Sequence, residues 1–159
     1  MAAKSKTLLL DTNLLLLYLV GSKDPKLIEG ARRLNAFNED DFDLLIDFIE
    51  VNKFTRPAST PHILTEASNL IGAERDTLKK LGREAIREYV QHCNEIAHEA
   101  CVLVDDPEFN RLGLTDIAIR LASDLPAFVL TADHPLCLHL ADGGVEVVNF
   151  NHIRQGSWS

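Results

Sequence analysis

The stretch Thr7-Leu8-Leu9-Leu10-Asp11-Thr12-Asn13 decides the fold. A short apolar run stopped by a carboxylate reads as a buried strand with Asp11 at its C-terminal tip. Residues 13–20 follow as a segment apolar nearly all round, the pattern of a helix buried on every side, which Gly21 is expected to end. Downstream, Ala127-Phe128-Val129-Leu130 repeats the strand signal and runs into Thr131-Ala132-Asp133 and a helix reaching Leu140. A second acid therefore stands at a second strand tip.

Between these two units the punctuation is mostly helical. Pro25 opens an expected helix with Leu27, Ile28, Ala31 and Leu34 at helical spacing, and residues 41–52 read as another. Residues 54–59 are extended. Thr60-Pro61 supplies a cap and a first-turn proline for a helix ending at Gly72. Residues 76–100 read as one long helix, because Leu78, Leu81, Ala85, Tyr89, Cys93, Ile96 and Ala100 keep a single apolar face. Val102, Leu103 and Val104 read as a short strand, residues 115–121 as a helix, and residues 145–150 as a last strand after Asp142-Gly143-Gly144. Apolar strands separated by helices imply an α/β chain, a central, mostly parallel sheet covered on both faces. One domain over residues 1–154 is expected, with 155–159 a loose tail.

The chain has 159 residues, enough for a core without disulfide or metal staples. Its three cysteines, Cys93, Cys101 and Cys137, form no C-x-x-C pair, which points to a reduced, cytoplasmic setting. Asp11 interrupts the first apolar run, and no segment matches the roughly 18–20 apolar residues of a membrane span. A net charge of −8 excludes a broad basic nucleic-acid surface, since such binding relies on phosphate neutralisation.

Two more acids sit where the pattern wants apolar residues. Glu66 lies between Ile63 and Leu70 on the buried stripe of its helix or at the edge of it, and Asp116 stands in the first turn of an otherwise apolar helix. A cap role explains either alone, at a few tenths to about 1 kcal/mol. An uncompensated buried charge costs several kcal/mol. Asp11, Glu66, Asp116 and Asp133 together form the set expected of one pocket, where carboxylates raise one another's pKa unless cations join them. Oxygen ligands without a matching His or Cys set favour Mg²⁺ or Mn²⁺ over zinc.

With these residues in place the sequence resembles the PIN-domain nucleases. The resemblance rests on Asp11-Thr12-Asn13, on Thr60-Pro61 leading to Leu64-Thr65-Glu66-Ala67, on Gly113-Leu114-Thr115-Asp116-Ile117-Ala118, on Val129-Leu130-Thr131-Ala132-Asp133, and on the closing Val145-Glu146-Val147-Val148-Asn149-Phe150. It implies a three-layer α/β/α sandwich and metal-dependent hydrolysis of RNA, leaving 5′-phosphate and 3′-hydroxyl ends. It implies Asp11, Asp116 and Asp133 as metal ligands, Glu66 as a ligand direct or through water, and Asn13 and Thr131 as polar support. An RNA substrate, an antitoxin or other protein partner and a homodimer belong to the same expectation. The length of the chain departs from small toxin-like members. The rival readings are a non-catalytic interaction module and a phosphatase with Asp11 as nucleophile, which would want an acid where Asn13 stands.

Other features have two accounts. His134 is a helix-start histidine or a phosphate contact, and Asp105-Asp106 is a solvated turn or a source of a fifth acid. The acids Glu39, Asp40, Asp41, Asp43, Asp47 and Glu50 form a solvated helix face or a docking surface for a basic partner. Lys79, Lys80, Arg83 and Arg87 guide RNA, or else pair with the interleaved Glu84 and Glu88 to stabilise their helix.

Overall fold

In the computed structural model of the protein, residues 6–123 and 127–156 are described. Five strands, β1 (Lys6–Leu10), β2 (Phe54–Ser59), β3 (Asn94–Glu95), β4 (Ala127–Thr131) and β5 (Val147–Asn149), form one sheet in the order β3-β2-β1-β4-β5. Every pairing in it is parallel. The helices α1 (Thr12–Lys23), α2 (Glu39–Val51), α3 (Pro61–Gly72), α4 (Asp76–His92), α5 (Ala100–Val104), α6 (Phe109–Ala122), α7 (His134–Asp142) and α8 (Phe150–Gly156) cover it, giving an α/β/α sandwich. No helix among the described residues is long and apolar enough to cross a membrane.

Strand β1 is central, and Leu8, Leu9 and Leu10 are buried on both faces, as parallel packing requires. Helix α1 has Leu14, Leu15, Leu16, Leu17, Leu19 and Val20 buried, which explains its all-round apolarity. It packs against α2, α3 and α4. Phe48 of α2 meets Phe54 of β2 and Phe128 of β4, with ring centroids 5.9 and 6.1 Å away, so α2 lies across the sheet.

Several local expectations yield to packing. Gly21 does not end α1; a β-carbon there would stand 2.2 Å from the Phe42 ring, so the glycine permits the close approach of α2. Pro25 opens a 3₁₀ turn (Pro25–Leu27), followed by another (Arg32–Leu34). Ile28, Ala31 and Leu34 are buried at a spacing of three, the period of a 3₁₀ helix. The long helix stops at His92, because Cys93 turns extended and Asn94–Glu95 covers the free edge of β2, with Ile96 N–H donating to Ser59 O at 2.9 Å. Residues 102–104 are helical rather than extended: Leu103 alone is buried, packed with Ile117 and Ala118 in a small second core, while Val102 and Val104 are exposed.

The last strand keeps only Val147–Asn149, and Phe150 starts α8, which includes Gln155 and Gly156 from the segment expected to be loose. Residues 157–159 lie outside the described residues. Nor is the acidic face of α2 uniformly solvated. Asp41 is buried, closes a capping box with Asn38, and takes a two-pronged ion pair from Arg154 of α8 at 2.9 and 3.2 Å.

Candidate metal centre

In parallel sheets a ligand site forms beyond the carboxyl ends of the strands, where the strand order reverses. Here the reversal falls between β1 and β4, and Asp11 and Asp133 follow those two strands. Both acids are helix caps. Asp11 Oδ1 accepts the Leu14 N–H at 2.9 Å, and Asp133 Oδ1 accepts the Leu136 N–H at 2.9 Å. Local capping chemistry thus sets both carboxylates at the switch point.

Thr131 joins them. Its buried hydroxyl donates to Asp11 Oδ2 at 2.5 Å and accepts the Asp133 N–H at 3.0 Å. The Ala132 N–H also donates to Asp11 Oδ2, at 2.9 Å. Burial is the largest influence on Asp11 and holds its pKa above the ordinary value; the three hydrogen bonds oppose that rise and the neighbouring Asp133 charge adds to it.

Glu66, half-buried on α3, ties in the other side. Its Oε2 accepts from Thr115 at 3.2 Å and from Thr12 at 3.5 Å, the residues next to Asp116 and Asp11. Thr60 caps α3 through the Ile63 N–H, and Ile63, Ala67 and Ile71 anchor its buried face, leaving Glu66 at the stripe's edge. Asp116 sits after a break in α6, where Gly113 takes φ +80° and ψ 175°, a backbone region essentially restricted to glycine. Its pKa is pushed up to about 6, first by burial and then by the charges of Asp133, Asp11 and Glu66. The four expected acids therefore border one region, near enough for the charges of Asp133, Asp11 and Glu66 to act on Asp116.

Among the described residues, none of the four takes part in an ion pair, and the Asp116 carboxylate accepts no hydrogen bond. The donors are all oxygens, which fits a hard divalent ion such as Mg²⁺ or Mn²⁺. That fit is one of chemistry and position: among the described residues no three His, Cys, Asp or Glu side chains are grouped tightly enough to enclose an ion. Asn13 is half-buried in the first turn of α1 and makes no hydrogen bond to these carboxylates.

Asp106 is not part of this group. It is nearly buried, caps the turn before α6 through the Glu108 N–H, and is ion-paired with Arg120. His134 is exposed beside Asp133, 3.4 Å from the buried Asn149 amide. Sequence reasoning missed Thr12 and Thr115, the hydroxyls that hold Glu66; their positions beside two candidate acids were the available signal. A cleft of about 440 Å³, lined by residues that include His62, Thr65, Glu66, Asn69 and Thr115, opens next to the site. Neither a scan against protein-family models nor a search among curated proteins returns a match for the chain.

Proposed function

We propose that the protein is a PIN-type endoribonuclease that hydrolyses RNA phosphodiester bonds with Mg²⁺ or Mn²⁺. The observation that carries this reading is the convergence of Asp11, Glu66, Asp116 and Asp133, from four separate elements, at the switch point of a parallel sheet with no counter-cation among the described residues. Capping accounts for Asp11 and Asp133 but not for Glu66 and Asp116, and the nearby charges of Asp133, Asp11 and Glu66 raise the cost of ionising Asp116.

Asp11, Asp116 and Asp133 are the assigned metal-holding residues, with Glu66 binding directly or through a water. When bound, the ion lowers the pKa of a water and offsets charge on the phosphate and leaving oxygen. Thr131 fixes the Asp11 carboxylate and the Asp133 backbone together, while Thr12 and Thr115 orient Glu66. The cleft lined by Glu66 and Thr115 offers an RNA strand room beside the site. In the proposed hydrolysis, a water oxygen bonds to phosphorus and the bond to the 3′-oxygen breaks, leaving 5′-phosphate and 3′-hydroxyl ends.

The test is cleavage of fluorescent single-stranded RNA in Mn²⁺ by the wild type, Asp11→Asn and Asp116→Asn. The wild type is expected to cut, EDTA to stop it, and each variant to lose at least about a hundredfold in rate, an effect of several kcal/mol on the barrier. Equal rates in all three proteins overturn the assignment.

A further inference from the structure

Lys79, Lys80, Arg83 and Arg87 extend along α4 and line a surface groove of about 350 Å³. Lys80, Arg83 and Arg87 are exposed and Lys79 is partly so. Two acids, Asp76 and Glu84, share the groove, yet among the described residues none of the four cations forms an ion pair. Glu88, the other interleaved acid, turns away to Lys23 of α1 at 2.7 Å. Asp76–Lys80 and Lys80–Glu84 are i,i+4 neighbours of opposite sign, yet neither closes into an ion pair among the described residues. Lys79, Arg83 and Arg87 are also successive i,i+4 neighbours of like charge, an arrangement that weakens a helix. None of the four cations is tied to another element by an ion pair among the described residues.

The groove also connects to the carboxylates. Glu66, Asn69 and Gly72 recur every three residues on α3 and so share a face. Glu66 and Asn69 line the cleft at the site, and the Arg83 guanidinium lies against Gly72, 3.2 Å from where a β-carbon would stand. From Glu66 to Gly72 is about 9 Å of helix, and from Lys79 to Arg87 about 12 Å. The second length exceeds three nucleotide steps of a stacked strand, at about 3.4 Å each.

We propose that the outward face of α4 is a docking surface for the phosphate backbone of single-stranded RNA, delivering the strand along α3 to the carboxylates. This rests on the ribonuclease reading for its choice of polyanion. It also answers how a chain of net charge −8 holds RNA at all. The binding is electrostatic and indifferent to base sequence, because lysine and arginine on a smooth helix face read phosphates rather than base edges.

The experiment uses fluorescence anisotropy with a labelled single-stranded RNA of mixed sequence, in EDTA so that nothing is cut. The full-length wild type is compared with a variant carrying Lys79→Gln, Lys80→Gln, Arg83→Gln and Arg87→Gln, and with a control carrying Lys53→Gln and Arg56→Gln at exposed positions elsewhere. Four phosphate contacts at about 0.7 each give a slope of log K against log salt steeper by about 2.8 in the wild type than in the α4 variant. The α4 variant is also expected to bind at least tenfold more weakly at about 0.1 M salt, with its melting temperature unchanged or raised. The control should match the wild type. Equal affinity and slope in wild type and α4 variant overturn the proposal, as does wild-type binding to poly-L-glutamate without binding to RNA, which would mark a protein partner instead. Cleavage of a dinucleotide in Mn²⁺ separates the two readings. If the dinucleotide stays intact while the α4 effect on RNA binding appears, docking stands and hydrolysis falls. If both proteins cut the dinucleotide alike and the α4 effect is missing, hydrolysis stands and docking falls.

Discussion

Replacing Asp116 by asparagine should stabilise the metal-free protein while removing its response to metal. The carboxyl's rise from 3.8 to about 6 means that the folded state disfavours the charged form. At about 1.4 kcal/mol per tenfold change in proton affinity this is roughly 3 kcal/mol, and solvent screening of a half-buried group reduces it to about 1–2 kcal/mol. The sign follows from proton binding. Below the ordinary value both folded and unfolded chains keep the proton, and the site costs nothing. Between that value and about pH 6 the unfolded chain loses its proton first, so stability falls as pH rises, then levels off. At pH 7.5 in EDTA, Asp116→Asn should therefore melt about 2–8 °C above the wild type, and at pH 4 the gap should close. Scanning calorimetry reads both. Mn²⁺ at about 100 times its Kd should add roughly 2.7 kcal/mol to the wild type and little to the variant. If Asp116→Asn melts at or below the wild type in EDTA at pH 7.5, neither burial nor the neighbouring acids disfavour the Asp116 charge, and the argument for a cation site fails.

Three further outcomes check the supporting structure. Thr131→Val removes the hydroxyl that binds Asp11 and Asp133, and urea unfolding should show a loss of about 1–3 kcal/mol with weaker Mn²⁺ binding, both largely recovered in Thr131→Ser. Gly113→Ala forces a side chain into a backbone region reserved for glycine, at about 1–3 kcal/mol by the same measurement, with a fall in Mn²⁺ affinity as Asp116 shifts. Asp41→Asn removes the charge from the two-pronged pair with Arg154 and weakens the capping box with Asn38, and should cost about 1–3 kcal/mol, with faster hydrogen exchange over α8.

The elements that position the site were legible because their signals are local. Asp11, Thr60 and Asp133 each cap the helix that follows them, and a cap is written within four residues of sequence. What misled was periodicity across a boundary set elsewhere. The apolar spacing of α4 continues through Cys93, Ile96 and Ala100, while the chain leaves the helix to pair with β2, some 36 residues upstream in the register Ala58 to Asn94. Asp41 reads as one acid among six; its burial depends on Arg154, separated from it by 113 residues. Gly21 looks like a stop signal until Phe42 is seen against it. Thr12 and Thr115 carried no pattern of their own, because a hydroxyl's role depends on the acid that folding brings to it.

The charge balance joins these observations. The described ion pairs bind Lys23, Arg111, Arg120 and Arg154 to acids, and each pair ties elements or turns of the fold together. The cations on α4 have no such task, and none of the four acids at the switch point is ion-paired, though Asp11 and Asp133 also cap α1 and α7. Like charges on one helix face and carboxylates near one another each cost free energy. The fold nonetheless keeps negative charge without an ion pair midway along α3, at Glu66, and positive charge without one against its C-terminal end, at Gly72. An anionic polymer held on the cations and carried to acids that require a divalent cation satisfies both sets at once. Each half of that arrangement is independently removable, by neutralising α4 or by replacing Asp116, and the two losses should be separable: RNA affinity in the first case, metal-dependent chemistry in the second.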